Sequence, residues 1–153
     1  ITYSHVDKIN HIGGHSRGIR GYSRLLAKIF VQIVGHGARN KFIPEECFNA
    51  PLPFIKQLIN GIFSGDGTVT NNSIQLSSAS NKLIHNVNMC LSRLGIFGKV
   101  TITRMKENNL GTENMADINL LSIRSSWATK FAKQIRLIDV KKQNRLNIIN
   151  ATI

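Results

Sequence analysis

One acidic residue closes a helix-forming, glycine-spaced stretch, Ile59-Asn60-Gly61-Ile62-Phe63-Ser64-Gly65-Asp66-Gly67. Leu58, Ile59, Ile62 and Phe63 fall on one apolar stripe at helical spacing, and Gly61 with Gly65 gives the small-small spacing that lets two helix backbones approach closely. Gly67 followed by Thr68-Val69-Thr70 ends the helix and starts a strand. Two such helices side by side would bring two carboxylates like that of Asp66 together at one end of the pair. Their repulsion is tolerable when a cation sits between them, so the pattern predicts a metal site suited to a polyanion.

Ile59 to Gly67 resembles the motif of the LAGLIDADG homing endonucleases, in particular the dodecapeptide endonuclease domains carried by inteins, with Gly61, Asp66 and Gly67 as identities. Upstream, Gly37-Ala38-Arg39-Asn40-Lys41-Phe42-Ile43-Pro44 is similar to the lysine block that precedes the second motif of those enzymes, and Lys41 stands about 25 residues before Asp66. Downstream, Leu91-Ser92-Arg93-Leu94-Gly95-Ile96 resembles the family's helix ending in L-x-x-L-G-I before a strand. The resemblance covers roughly residues 22 to 150.

It implies site-specific double-strand DNA cleavage by metal-dependent phosphodiester hydrolysis. In-line attack of water on phosphorus needs charge neutralised on the non-bridging oxygens, which a divalent cation between carboxylates supplies. Asp66 is the expected metal ligand and catalytic residue, with the Gly65 main-chain carbonyl as a helper. Mg²⁺ suits an all-oxygen, water-rich site, and Mn²⁺ is a possible substitute. By the resemblance, Lys41 polarises the scissile phosphate or orients the attacking water, and a second lysine follows the second hairpin as Lys142 or its neighbour Lys141. Ser64 stands where the family motif has its first acid, while the later, metal-binding acid is intact.

Only one motif is visible, and cutting both strands takes two motif helices. The chain is therefore expected either to pair with itself across the motif helix as a homodimer or to be the second half of a larger protein whose first-half domain is missing. Position 1 is Ile, as expected of a fragment or excised segment. With no N-terminal nucleophile and no terminal His-Asn pair, splicing is not expected of this chain.

Charge points the same way independently. The formal net charge is +12 and the chain holds only eight acids, which favours nucleic acid as a partner. No long apolar run, basic amphipathic segment or signal peptide stands out, so a membrane role is not expected and an intracellular location is, in cytoplasm, nucleus or an organelle. Cys47 and Cys90 lack metal-ligand spacing and read as reduced thiols. His5, His11 and His15 read as polar loop residues, because Gly13-Gly14 interrupts any helix that would align them for zinc.

The elements that must position these residues follow from periodicity. Helices are predicted over Tyr22 to Val34, over the motif segment with a proline near its first turn, over Lys82 to Leu94 capped by Ser80 or Asn81, from Ser125 or Ser126 through Gln134, and over Lys141 to Ile149. The helix through Gln134 should hold Trp127 in the core. One hairpin runs from Thr68 to Ala79 around Asn71-Asn72. A second pairs Lys99–Lys106 with Asp117–Arg124 through a long polar connection.

The sum is a single α+β domain over 1–153, with residues 1–21 as an N-terminal extension. It has the LAGLIDADG homing endonuclease fold, α-β-β-α-β-β-α, with a four-stranded antiparallel saddle sheet and an extra N-terminal helix. The polar sheet face is where double-stranded DNA should lie, contacted by Gln75, Ser77, Lys99, Thr101, Thr103 and Arg124. Arg104 is excluded, because its parity puts it with Val100 and Ile102. The alternatives are a non-cleaving DNA- or RNA-binding module on the same fold, such as a degenerate homing domain or maturase, and a structural module in a ribosome-like assembly. Polar rather than aromatic residues at the alternating positions argue against RNA.

Overall fold

Leu52 to Asp66 forms the helix predicted from the motif, here α2, entered through Pro51 with a second proline in its first turn, where a missing N–H costs nothing. In the computed structural model, which describes residues 2–9, 15–105 and 116–151, this helix belongs to the larger of two compact units, Ile1–Ile33 and Val34–Ile153.

The sequence assigns no strands to the N-terminal extension, residues 1–21. The smaller unit instead pairs β1 (Thr2–Ile9) with β2 (His15–Tyr22) as antiparallel strands, followed by α1 (Arg24–Val34), whose last residue enters the second unit. His5 and His15 are thus strand residues, and His11 lies outside the described residues. Ser23 accepts the Leu26 N–H at 3.3 Å and caps α1, no residue of which is buried.

The larger unit runs through a short 3₁₀ turn (Glu45–Asn49), α2, β3 (Gly67–Val69), β4 (Ser73–Ser78), α3 (Asn81–Arg93), β5 (Lys99–Met105), β6 (Ala116–Arg124), α4 (Ser125–Gln134) and α5 (Val140–Ala151). Its four strands form one antiparallel sheet in the order β3-β4-β6-β5. The long polar connection between β5 and β6 lies outside the described residues.

Helices cover one face of the sheet. Ile74, Leu76, Leu121 and Ile123 point from the strands into the core, against Ile55, Ile59 and Phe63 of α2, Ile84, Val87 and Leu91 of α3, Phe131 of α4 and Leu146 of α5. Phe63 and Phe131 meet edge to face, their centroids 5.0 Å apart. Each such buried side chain contributes on the order of 2 kcal/mol of transfer free energy.

The motif helix does not carry the single apolar stripe expected of it. Ile55, Ile59 and Phe63 face the core and are fully buried, whereas Leu58 and Ile62 are only half-buried and lie with Gly61 and Gly65 along a second face. A second correction concerns α4. Arg124 is its N-cap, no side chain closes its first turn, and Ser125 takes a φ of +54° instead of serving as a cap. Ser80 does cap α3, accepting the Leu83 N–H at 3.1 Å.

Candidate functional site

Asp66 is the last residue of α2, where four main-chain carbonyls have no partner within the helix and the peptide dipoles sum to negative charge. An anion there is unfavourable unless a cation offsets it. Lys142 of α5 supplies one: its Nζ donates to the carbonyls of Phe63 at 3.2 Å, Ser64 at 2.7 Å and Gly65 at 2.9 Å. Of the two lysines left open by the sequence, Lys142 is the one at the motif, while Lys141 is exposed on the same helix.

The approach of α5 is fixed by two further contacts. Asp139 Oδ1 accepts the Lys142 N–H at 2.8 Å, in the manner of a helix cap, and the Ile138 N–H donates to Ser64 Oγ at 2.9 Å. Ser64 also donates to Asn60 Oδ1 at 2.9 Å. The residue standing at the family's first acid position therefore ties the motif helix to the segment that delivers Lys142.

Lys41 is brought to the same place from the other side. Its carbonyl accepts from Ser80 Oγ at 2.6 Å, and the Ile43 N–H donates to Asn86 Oδ1 at 3.1 Å, so the segment is pinned to the first turns of α3. Gly35, at a φ of +81°, lets the chain turn here, since a Cβ on it would lie 2.0 Å from the Asn40 carbonyl oxygen. Lys41, Asp66, Gly65 and Gly61 line one cleft of about 560 Å³, together with Leu58 and Ile62.

Among the described residues no hydrogen bond or ion pair reaches the Asp66 side chain, which is exposed. No group of three or more His, Cys, Asp and Glu gathers among them either. The Gly61 and Gly65 backbones face open space: a Cβ on either would meet nothing within 4 Å.

The six residues expected to read DNA share one sheet face. Gln75 sits opposite Ser122, and Ser122 opposite Lys99; Ser77, Leu120 and Thr101 form the next row, and Arg124 and Thr103 keep the same parity. Arg104 lies on the other face, 3.4 Å from Asp117. The registers also put Ser122, Leu120 and Ile118 on the face, which alternation along β6 alone could have supplied. Phe97 drew no expectation from the sequence, and Trp127 a different one. Trp127, expected in the core, is 38% exposed and stands against Phe97, 53% exposed, at the end of the sheet.

Residues 53–136, more than half of the chain, match the family described as LAGLIDADG-like domain. The chain belongs to the LAGLIDADG family. The matched segment runs from the start of α2 through α4, so it contains the motif helix, both hairpins and the whole four-stranded sheet. DNA-directed RNA polymerase subunit Rpo1C of Methanocaldococcus jannaschii is 31% identical over 148 residues, which is 95% of this chain and 16% of that protein. A DNA polymerase of a Thermococcus species (strain GE8) is 27% identical over 143 residues, 90% of this chain and 8% of that protein. A DNA polymerase of Thermococcus hydrothermalis is 26% identical over 129 residues, 82% of this chain and 8% of that protein. This LAGLIDADG domain thus spans 16% or less of the length of these relatives. Among the described residues, no helix is long and apolar enough to cross a membrane.

Proposed function

We propose that this LAGLIDADG domain is a site-specific double-strand DNA endonuclease of the homing type, of intein or intron origin. The observation that carries the reading is the cleft at the end of α2, where an unpaired carboxylate and a lysine from a distant segment line the same surface. A module that only binds nucleic acid gains nothing from an acid facing phosphates, which is the argument against a non-cleaving relative.

The Asp66 carboxylate, an oxygen donor, fits Mg²⁺, with Mn²⁺ as a substitute, and the Gly65 carbonyl, which already accepts from Lys142 Nζ at 2.9 Å, would have only its second lone pair for the cation. One chain supplies half of such a site, and the uncovered face of Leu58, Gly61, Ile62 and Gly65 is suited to pack against a like helix that brings the second carboxylate. That helix belongs to a second copy of this chain or to a first-half domain of a longer protein. When bound, the cation would neutralise the scissile phosphate and acidify the attacking water. Lys41 would donate to a non-bridging phosphate oxygen or to that water, holding it in line. Lys142 keeps the carbonyl-bearing turn in place beneath them. The sheet face would lie in the major groove and set the register of the cut.

Duplexes recovered by binding from a randomised pool, then added to the protein in a light-scattering concentration series, test this arrangement. Two chains per duplex are expected at saturation if the second helix comes from a second copy and one if it comes from a first-half domain, with binding weakened by added salt in either case. No binding to any duplex at low salt would contradict the reading.

A further inference from the structure

At the end of the sheet face the chain carries a second concave surface, a cleft of about 570 Å³ lined by Phe97, Lys99, Thr101, Ser122, Arg124 and Trp127 among others. The left-handed backbone of Ser125 turns β6 directly into α4, so Arg124 ends the strand and Trp127 falls in the first turn of the helix. Phe97 and Trp127 stand edge to face, with centroids 5.0 Å apart and planes at 77°. An edge-to-face pair leaves both faces of one ring uncovered by the other. Lys130 Nζ lies 5.9 Å from the Trp127 ring, on the same helix.

Exposed aromatic rings cost apolar hydration, and Leu120 is the one other large apolar side chain that lines the cleft. The cleft's remaining walls are mainly polar or cationic, none of its lining residues is acidic, and it continues the row of Lys99, Ser122 and Gln75 across the sheet. A protein partner with an acidic, apolar surface would not need that continuity. A nucleic-acid strand does: its phosphates match Lys99 and Arg124, and a base released from its stack has an apolar face of the right kind for an aromatic ring.

We infer that this cleft holds one unstacked base of a bound DNA strand against the Phe97 and Trp127 rings, with the flanking phosphates on Lys99 and Arg124. The inference rests on the nucleic-acid reading of the sheet face and adds a contact to bases outside the duplex stack. It makes the end of the face selective for DNA that is distorted or already unpaired, because an intact base pair resists giving up its base.

Trp127 is the single tryptophan of the chain, so its emission reports this cleft alone. The test titrates the protein at low salt with single-stranded oligothymidylate of about twelve nucleotides and with an abasic strand of the same length, following emission and anisotropy. Oligothymidylate is expected to quench Trp127 and to bind about tenfold more tightly than the abasic strand. Phe97→Leu, which keeps the reporter and changes the more exposed ring, should reduce that preference several-fold with little change in melting temperature, and Trp127→Leu should reduce it as far, read by anisotropy at a temperature where that variant is folded. Equal binding of the two strands with no quench overturns the base contact while leaving the nucleic-acid reading intact. Failure of both strands and of duplex to bind overturns both. Oligouridylate binding tenfold more tightly than oligothymidylate would overturn the assignment to DNA in favour of RNA.

Discussion

Lys142 is tied to the end of the motif helix. All three protons of its ammonium group are directed at carbonyls of the last turn of α2, which stabilises the helix end that carries Asp66. Lys142→Met should lower the unfolding free energy by about 1–3 kcal/mol in urea, since it removes charge-assisted hydrogen bonds and leaves carbonyls unpaired. Lys141→Met, on an exposed neighbour, should change it by less than about 0.5 kcal/mol. The sequence could place a lysine here but could not choose between adjacent ones. The choice depends on where Asp139 starts α5, and hence on which way each residue of that helix faces.

Cys90 makes a second residue-scale prediction. Burial, then the nearby Cys47, push its thiol up to about 11, with Arg93 opposing. The folded protein therefore holds the neutral thiol longer than the unfolded chain does, and the stabilisation is present in full below pH 9.0 and lost as the pH rises towards about 11. Urea unfolding across that window should show a fall in stability that is smaller in Cys90→Ala.

Among the elements, α2 makes the sharpest demand. Its buried face of Ile55, Ile59 and Phe63 holds it to the sheet, leaving Gly61 and Gly65 on a face with open space before them. Glycine inside a helix costs about 1 kcal/mol relative to alanine, so it is retained here against helix propensity. Gly61→Ala should raise the stability of the isolated chain by about 0.5–1 kcal/mol and weaken its association with a like helix, read by unfolding and by light scattering on the same sample. A variant that gains stability and associates as before would place the contact elsewhere. Periodicity made the helices and both hairpins of the larger unit legible. It failed on β1 and β2, whose residues, among them Asp7, Lys8, Gly18 and Gly21, show no apolar alternation. It failed again at Ser125, because φ there is set by the direct passage from strand to helix and not by capping preference.

Over the whole molecule, charge and architecture agree. The sheet face carries Lys99 and Arg124 on a chain with a net charge of +12, and Lys41 and Asp66 line a cleft of the same unit, as the proposed binding of a polyanion requires. The family was legible because the motif, the lysine block and the L-x-x-L-G-I helix occur in order. The aromatic end of the sheet was not, since Phe97 lies just outside a strand and Trp127 sits on a helix whose burial no alternation predicts. That Asp66 holds the cation for DNA cleavage is the step on which the proposed function depends. It is tested most directly with a plasmid carrying a selected site, incubated with Mg²⁺ and either the wild-type protein or Asp66→Asn, under conditions where each duplex holds two chains. Linear plasmid is expected from the wild type, abolished by chelation, and no cutting by Asp66→Asn although it binds the site with an affinity within about threefold. Equal cutting by Asp66→Asn, or no cutting by a wild-type complex of two chains, would contradict it.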